Sequence, residues 1–153
     1  LHLLSRRQRQ MCIRDSSYVT MIVSTDIQTI LYKKALELGV TGVYKEDDTP
    51  TGKLEEERVT VHSNSSEPGI TWKVGFVHVN IAVPDLDEKG TPDLDRMNKL
   101  ERMSMEVFKD TSVFDGTPYT YEVDTTRIEV NRDLKCHYVN VRVLFKVLNV
   151  IVL

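Results

Sequence analysis

Cysteine is nearly absent, with Cys12 and Cys136 the two examples in 153 residues. Cys12 lies in an atypical leader, so the rest of the chain holds one thiol and no internal disulfide, which fits a reducing compartment. No apolar run is long enough to span a bilayer; the closing VLNVIVL (147–153) reads as the end of a strand. A basic excess is also missing, since 20 Lys and Arg stand against 23 Asp and Glu for a net charge of −3. That balance argues against a nucleic-acid face. What remains is a small soluble α+β chain patterned for packing.

The leader LHLLSRRQRQMCIRDS differs from everything after it. Its four arginines face one acid, Asp15, without the apolar core that a signal peptide needs. RRQRQMCIRDS resembles the translated adapter read-through found at the ends of metagenome-derived sequences. Residues 1–17 are therefore expected to lie outside the fold, with residues 18–153 forming a single α+β domain. The leader carries four positive charges and one negative, +3 in all, so the remaining domain carries −6.

Within that domain, Thr25 and Gln28 suggest a capping box. Ile27, Ile30, Leu31, Ala35 and Leu38 follow at helical spacing, and Gly39 supplies a left-handed stop. Val43-Tyr44 marks the start of a short strand. EDDTPTGKLEEE (46–57) has six acids and reads as an exposed loop or mobile flap. Val59 and Val61 alternate as in a half-buried strand. The next strand splits its apolar set: Trp72, Val74 and Phe76 share one parity, and Val77, Val79, Ile81 and Val83 the other. Either a bulge near Gly75-Phe76 reunites them, or the strand is apolar on both faces and its second face meets another subunit. A second helix opens with Thr91 as N-cap and Pro92, and carries Leu94, Met97, Leu100, Met103 and Val107 along one side. Pairing through NRDLK matches residues whose numbers sum to about 267. A break near Asp124–Thr126 would bring Tyr121 beside Phe145 or Val147. The fold class predicted is α+β: an antiparallel sheet of about four strands, two helices on one face, in the order α-β-β-α-β-β.

Catalytic, cofactor and metal motifs fail on inspection. His62 and His78 sit on paired strands, but a turn pairing positions that sum to about 133 separates them by about seven residues, roughly 23 Å. His137 stands alone in its hairpin. Asp85, Asp87 and Gly90 imitate the start of a calcium loop, yet Lys89 and Arg96 occupy ligand positions. Gly52-Lys53 has Asp47 where a phosphate loop needs glycine, and Leu54 where it needs Ser or Thr. Cys136 and His137, adjacent on a strand, point to opposite faces and cannot form a dyad. No catalytic, cofactor-binding or metal residue is assigned, and no cofactor is expected.

An amino-terminal helix ending near Gly39, a loop, a strand pair, a helix and a final strand pair resemble the small tail-terminator or tail-completion proteins of tailed bacteriophages. The stretch WKVGFVHVNIAVPDLDEKGTPDLDRMNKLERMSMEVF is similar to the core of such proteins from phages or prophages, and the likeness spans roughly residues 22–149. It rests on element order, without a diagnostic motif, so no individual functional residue carries over. The resemblance implies a virion structural protein without enzymatic activity, assembled in the bacterial cytoplasm. It would form a self-ring, hexameric in such families, between the tail-tube protein and the head–tail connector, with no nucleic-acid or membrane partner. Asp85, Asp87, Glu88 and Lys89 are the expected inter-subunit loop. Two alternatives are another head-closure or minor capsid protein, and a small ligand-binding or enzymatic domain.

Overall fold

The computed structural model describes residues 22–62 and 72–148. Residues 1–21, 63–71 and 149–153 lie outside this set, and with them the expectation about residues 1–17 and most of VLNVIVL. Two helices, α1 (Ser24–Ala35) and α2 (Leu94–Val107), accompany six strands. These are β1 (Gly42–Lys45), β2 (Arg58–Val61), β3 (Trp72–Pro84), β4 (Asp110–Phe114), β5 (Thr117–Asn131) and β6 (Cys136–Leu148). The sheet order is β1-β2-β3-β6-β5-β4. The α+β class stands, with corrections in detail. The described residues form six strands instead of about four, and β1 runs parallel to β2, so the sheet is mixed.

The centre of the sheet is the β3–β6 pair, in register from Trp72↔Leu148 to Pro84↔Cys136 without a shift. The expected bulge at Gly75-Phe76 does not occur. Directly opposed residues of an antiparallel pair share a face. Val77, Val79, Ile81 and Val83 therefore join Val139, Val141, Val143, Phe145 and Val147 on one buried side. Val59 and Val61 extend this layer, and Ile27, Leu31, Ala35, Met97, Leu100 and Phe108 cover it. Val74, Phe76 and Leu144 fall on the other side. The second face is therefore apolar only at the Val74–Phe76 end of the strand, and turns polar at His78 and Asn80.

Register in β5 does shift, between Val123 and Thr125. Asp124 is the extra residue, and Ile128 stays opposite Val139 while Tyr121 comes opposite Phe145. Tyr119, Tyr121 and Phe145 then lie with near-parallel rings, Tyr121 5.4 Å from Phe145. Burial, reinforced by Asp110, pushes the Tyr121 phenol well above its ordinary value.

Both helix starts differ from the expected caps. The α1 N-cap is Val23, whose N–H is taken by Asp26 Oδ2 at 2.9 Å. Gln28 is instead buried, its Nε2 donating to the Val61 carbonyl at 3.1 Å. Anchoring β2 in this way outweighs a capping bond at the exposed end. Gly39 ends the helical segment at φ 67°, as its position suggests. For α2 the cap is Asp93, accepting from Arg96 N–H, because Thr91 is committed to Asp87. The helix phase follows: Met97 and Leu100 are fully buried, whereas Leu94, in the first turn, is 52% exposed.

Candidate functional site on the open face of the sheet

Alternation puts the polar residues of β2, β3 and β6 on the face away from the helices. Arg58 and Thr60 come from β2, His78 and Asn80 from β3, and Tyr138, Asn140 and Arg142 from β6. At one end of this face the 46–57 segment folds back over the sheet. Leu54 is buried against Ala82 and Cys136, with Leu134 and Tyr138 alongside. Its N–H donates to the Leu134 carbonyl at 3.3 Å. Glu57 forms a two-point pair with Arg96 at 2.5 and 2.8 Å. The expectation of a wholly exposed flap is corrected: one apolar side chain and one ion pair pin it, and both are single residues inside an acidic run.

Beneath that segment is a cleft of about 230 Å³, lined by Glu46, Thr49, Arg58, Thr60, His62, Asn80, Ala82, Asn131, Leu134, Cys136 and Tyr138. A polar chain crosses it. His62 Nδ1 lies 3.2 Å from Glu46 Oε1, and Asn80 Nδ2 donates to His62 Nε2 at 3.0 Å. Deeper in the sheet, His78 Nδ1–H donates to Asn140 Oδ1 at 2.9 Å. Arg58 Nη1 donates to the Pro50 carbonyl at 2.8 Å. Arg58 Nε and Asn80 Oδ1 are buried without a hydrogen-bond partner among the described residues. The Tyr138 hydroxyl donates to Glu129; that bond first, and burial second, push its phenol up to about 12. Burial also raises the Cys136 thiol, so it is a poor nucleophile at neutral pH. His137 projects from the opposite face of β6, as adjacency to Cys136 requires.

The histidine spacing is a correction. β2 and β3 pair from Arg58↔Ala82 to Val61↔Val79, numbers that sum to 140, and His62 N–H donates to the His78 carbonyl at 2.9 Å. The two histidines are cross-strand neighbours, not seven positions apart. Parity explains the difference, since burying Val59 and Val61 beside Ile81 and Val79 requires an even sum. The tight-turn estimate of 133 would have paired them with the Trp72–Val74 parity instead. His137 is not alone either: its Nδ1–H donates to Asp85 Oδ1 at 2.5 Å.

Asp85, Asp87, Glu88 and Lys89 lie in the β3–α2 connection, where most carboxylates have partners in this chain. Asp85 is held by His137 and is almost fully buried. Asp87 accepts from the N–H groups of Lys89 and Thr91 and from the Thr91 hydroxyl at 2.7 Å, bonds that lower its pKa. Glu88 meets Lys135 at 2.5 Å, which lowers its pKa in turn, and Lys53 at 3.8 Å. Among the described residues no three His, Cys, Asp or Glu side chains gather as a metal site. No helix in this set is long and apolar enough to cross a membrane.

At the opposite end of the open face, Val74 is 39% exposed, and Phe76 and Leu144 are half-buried register partners. Arg142 lies over the Phe76 ring at 3.6 Å and 3.6 Å from Asp124 Oδ2. The sheet edge is made by β4, four of whose five residues are exposed. The sequence reading missed this strand, although Asp115-Gly116, both at positive φ, is a strong two-residue hairpin signal.

No family model matches this chain, and no curated protein matches it. A solved structure aligns over 83% of this chain and 92% of its own, at 12% identity and a TM-score of 0.44. A likeness of that size carries no argument about fold or function.

Proposed function

We propose that this protein is a structural subunit that acts by assembly, of the phage tail-terminator or tail-completion kind, and not an enzyme. The observation that carries the proposal is the first end of β3, where Val74 and Phe76 lie on the face away from the helices while Val77 and Val79 face the core. Val74 is exposed at this end of the open face, Phe76 and Leu144 are half-buried with Arg142 over the Phe76 ring, and β4 beyond β5 forms a sheet edge. Exposed patches and free edges are the usual raw material of subunit contacts. Copies joined through these surfaces and the 84–91 loop would close into a ring, with six as the working number. Tail-tube protein and head–tail connector would sit on its two sides.

Light scattering and negative-stain electron microscopy of the purified chain, alone and with a tail-tube protein, test this. Closed rings, formed alone or on the tube protein, are expected. A chain that stays monomeric at high concentration under both conditions defeats the proposal, and a ring that caps a capsid portal in preference to a tail tube would indicate head closure. A ligand-binding domain is the second reading, favoured by one observation: the cleft under the 46–57 segment.

A further inference from the structure

Arg58 and Asn80 are diagonal neighbours on the open face, since 58 lies opposite 82 and 80 opposite 60. Both line the cleft, and each ends in a buried atom with no partner. The two atoms are of opposite kind. Arg58 Nε is a donor on a permanent cation, and among the described residues its side chain bonds the Pro50 carbonyl and pairs with no carboxylate. Asn80 Oδ1 is an acceptor, and its orientation is fixed because Nδ2 is committed to His62, which in turn leans on Glu46. Buried donors and acceptors are nearly always satisfied, so such a pair on one wall calls for an occupant. The guanidinium favours an anionic acceptor, above all a planar carboxylate. The carbonyl oxygen, with the Glu46 carboxylate on the same wall, favours a cationic N–H donor.

A bound water brings no charge to match that of Arg58. The cleft is also much larger than one water, which takes up about 30 Å³. The wall next to Arg58 is apolar, made by Ala82, Leu134 and the Cys136 thiol. We propose that this cleft binds a small zwitterion of the α-amino-acid class. Its carboxylate would accept from Arg58 Nε, its ammonium would donate to Asn80 Oδ1 near Glu46, and its side chain would turn toward Ala82 and Leu134. His62 is then a positioning residue that aims the Asn80 amide. The site uses none of the surfaces assigned to assembly, so the two proposals stand or fall separately.

Isothermal titration calorimetry on the full chain tests the assignment, with glycine, L-alanine and L-valine as probes and acetate and ethylamine as their charged halves. Saturable binding of at least one amino acid is expected, with each half at least tenfold weaker. Arg58→Met and Asn80→Leu should each weaken the amino acid tenfold or more. Acetate binding as well as the amino acids would make the site a plain anion site and overturn the proposal. Absence of saturable heat from all three amino acids would overturn it too. Both of those readings come from the unaltered chain and hold even if a variant fails to fold.

Discussion

Phe76 and Leu144 face each other across β3 and β6 on the side of the sheet away from α1 and α2, while their neighbours Val77 and Val143 face each other in the core. One pair serves the fold and the other is free to serve assembly. Leu144→Lys should therefore leave the melting temperature within a few degrees but reduce the assembled mass toward the monomer. Sedimentation velocity measures this. Unchanged assembly in the Phe76→Lys, Leu144→Lys double variant would show that subunits meet elsewhere.

The helix-covered side makes the opposite demand. Leu100 is fully buried in the central cluster, and truncation leaves a cavity that the β-sheet below cannot fill. Leu100→Ala is expected to cost about 2–5 kcal/mol in urea unfolding. Leu94→Ala, at an exposed first-turn position, should stay within about 0.5 kcal/mol. Equal losses at the two sites would mean the helix sits in a different phase.

Glu57 and Arg96 tie the acidic segment to α2 through two charge-assisted bonds, with side chains 22% and 29% exposed. Hydrogen bonding to Glu57 raises the Arg96 pKa, so the guanidinium keeps its charge. Arg96→Met should cost about 1–2 kcal/mol, less than a fully buried pair because water still reaches it. A double-mutant cycle with Glu57→Gln isolates the coupling, and a coupling of zero would reduce the contact to a surface accident.

Tyr138 supplies a test at high pH. Its phenol is raised from 10.0 to about 12, so the fold favours the protonated form. The stabilisation is fully present below pH 10, the ordinary tyrosine value, and is lost as pH rises through about 12. Spectrophotometric titration should show one tyrosine ionising near that upper value, and Tyr138→Phe should remove it. An unchanged titration curve would break the assignment to Glu129.

Long-period features were readable in the sequence; those set by choices between near-equal alternatives were not. The α1 and α2 stripes and the strand alternation of β6 declare themselves, because many residues repeat one pattern. The β2–β3 register turned on whether Val59 would pair with Val74 or Ile81, both apolar. Helix cover decided it, and with it the meeting of His62 and His78. Leu54 is a single apolar residue among acids, so its role as the clasp of the cleft had no periodic signal. Asp115-Gly116 did carry one, and β4 could have been found from it. The orphan atoms on Arg58 and Asn80 depend on three-dimensional enclosure and leave no trace in sequence.

The bulge at Asp124 was the least obvious register feature that the sequence did specify. Tyr119, Tyr121 and Val123 have odd numbers, whereas the core-side Thr126 and Ile128 have even ones, opposite Val141 and Val139. One extra residue is the smallest insertion that keeps both sets on one side. Deleting Asp124 would slide residues 117–123 by one position and turn Tyr119 and Tyr121, 9% and 3% exposed, toward the open face. Each buried tyrosine contributes on the order of 1.5–3 kcal/mol, so the deletion should cost more than about 3 kcal/mol even after partial repacking. Asp124→Gly keeps the residue count and removes its pairing with Arg142, an exposed contact worth less than about 1 kcal/mol. Chemical denaturation of the two variants side by side is the measurement. A deletion no worse than the glycine substitution would mean that β5 keeps its tyrosines in the core without the extra residue, and that parity does not set its register.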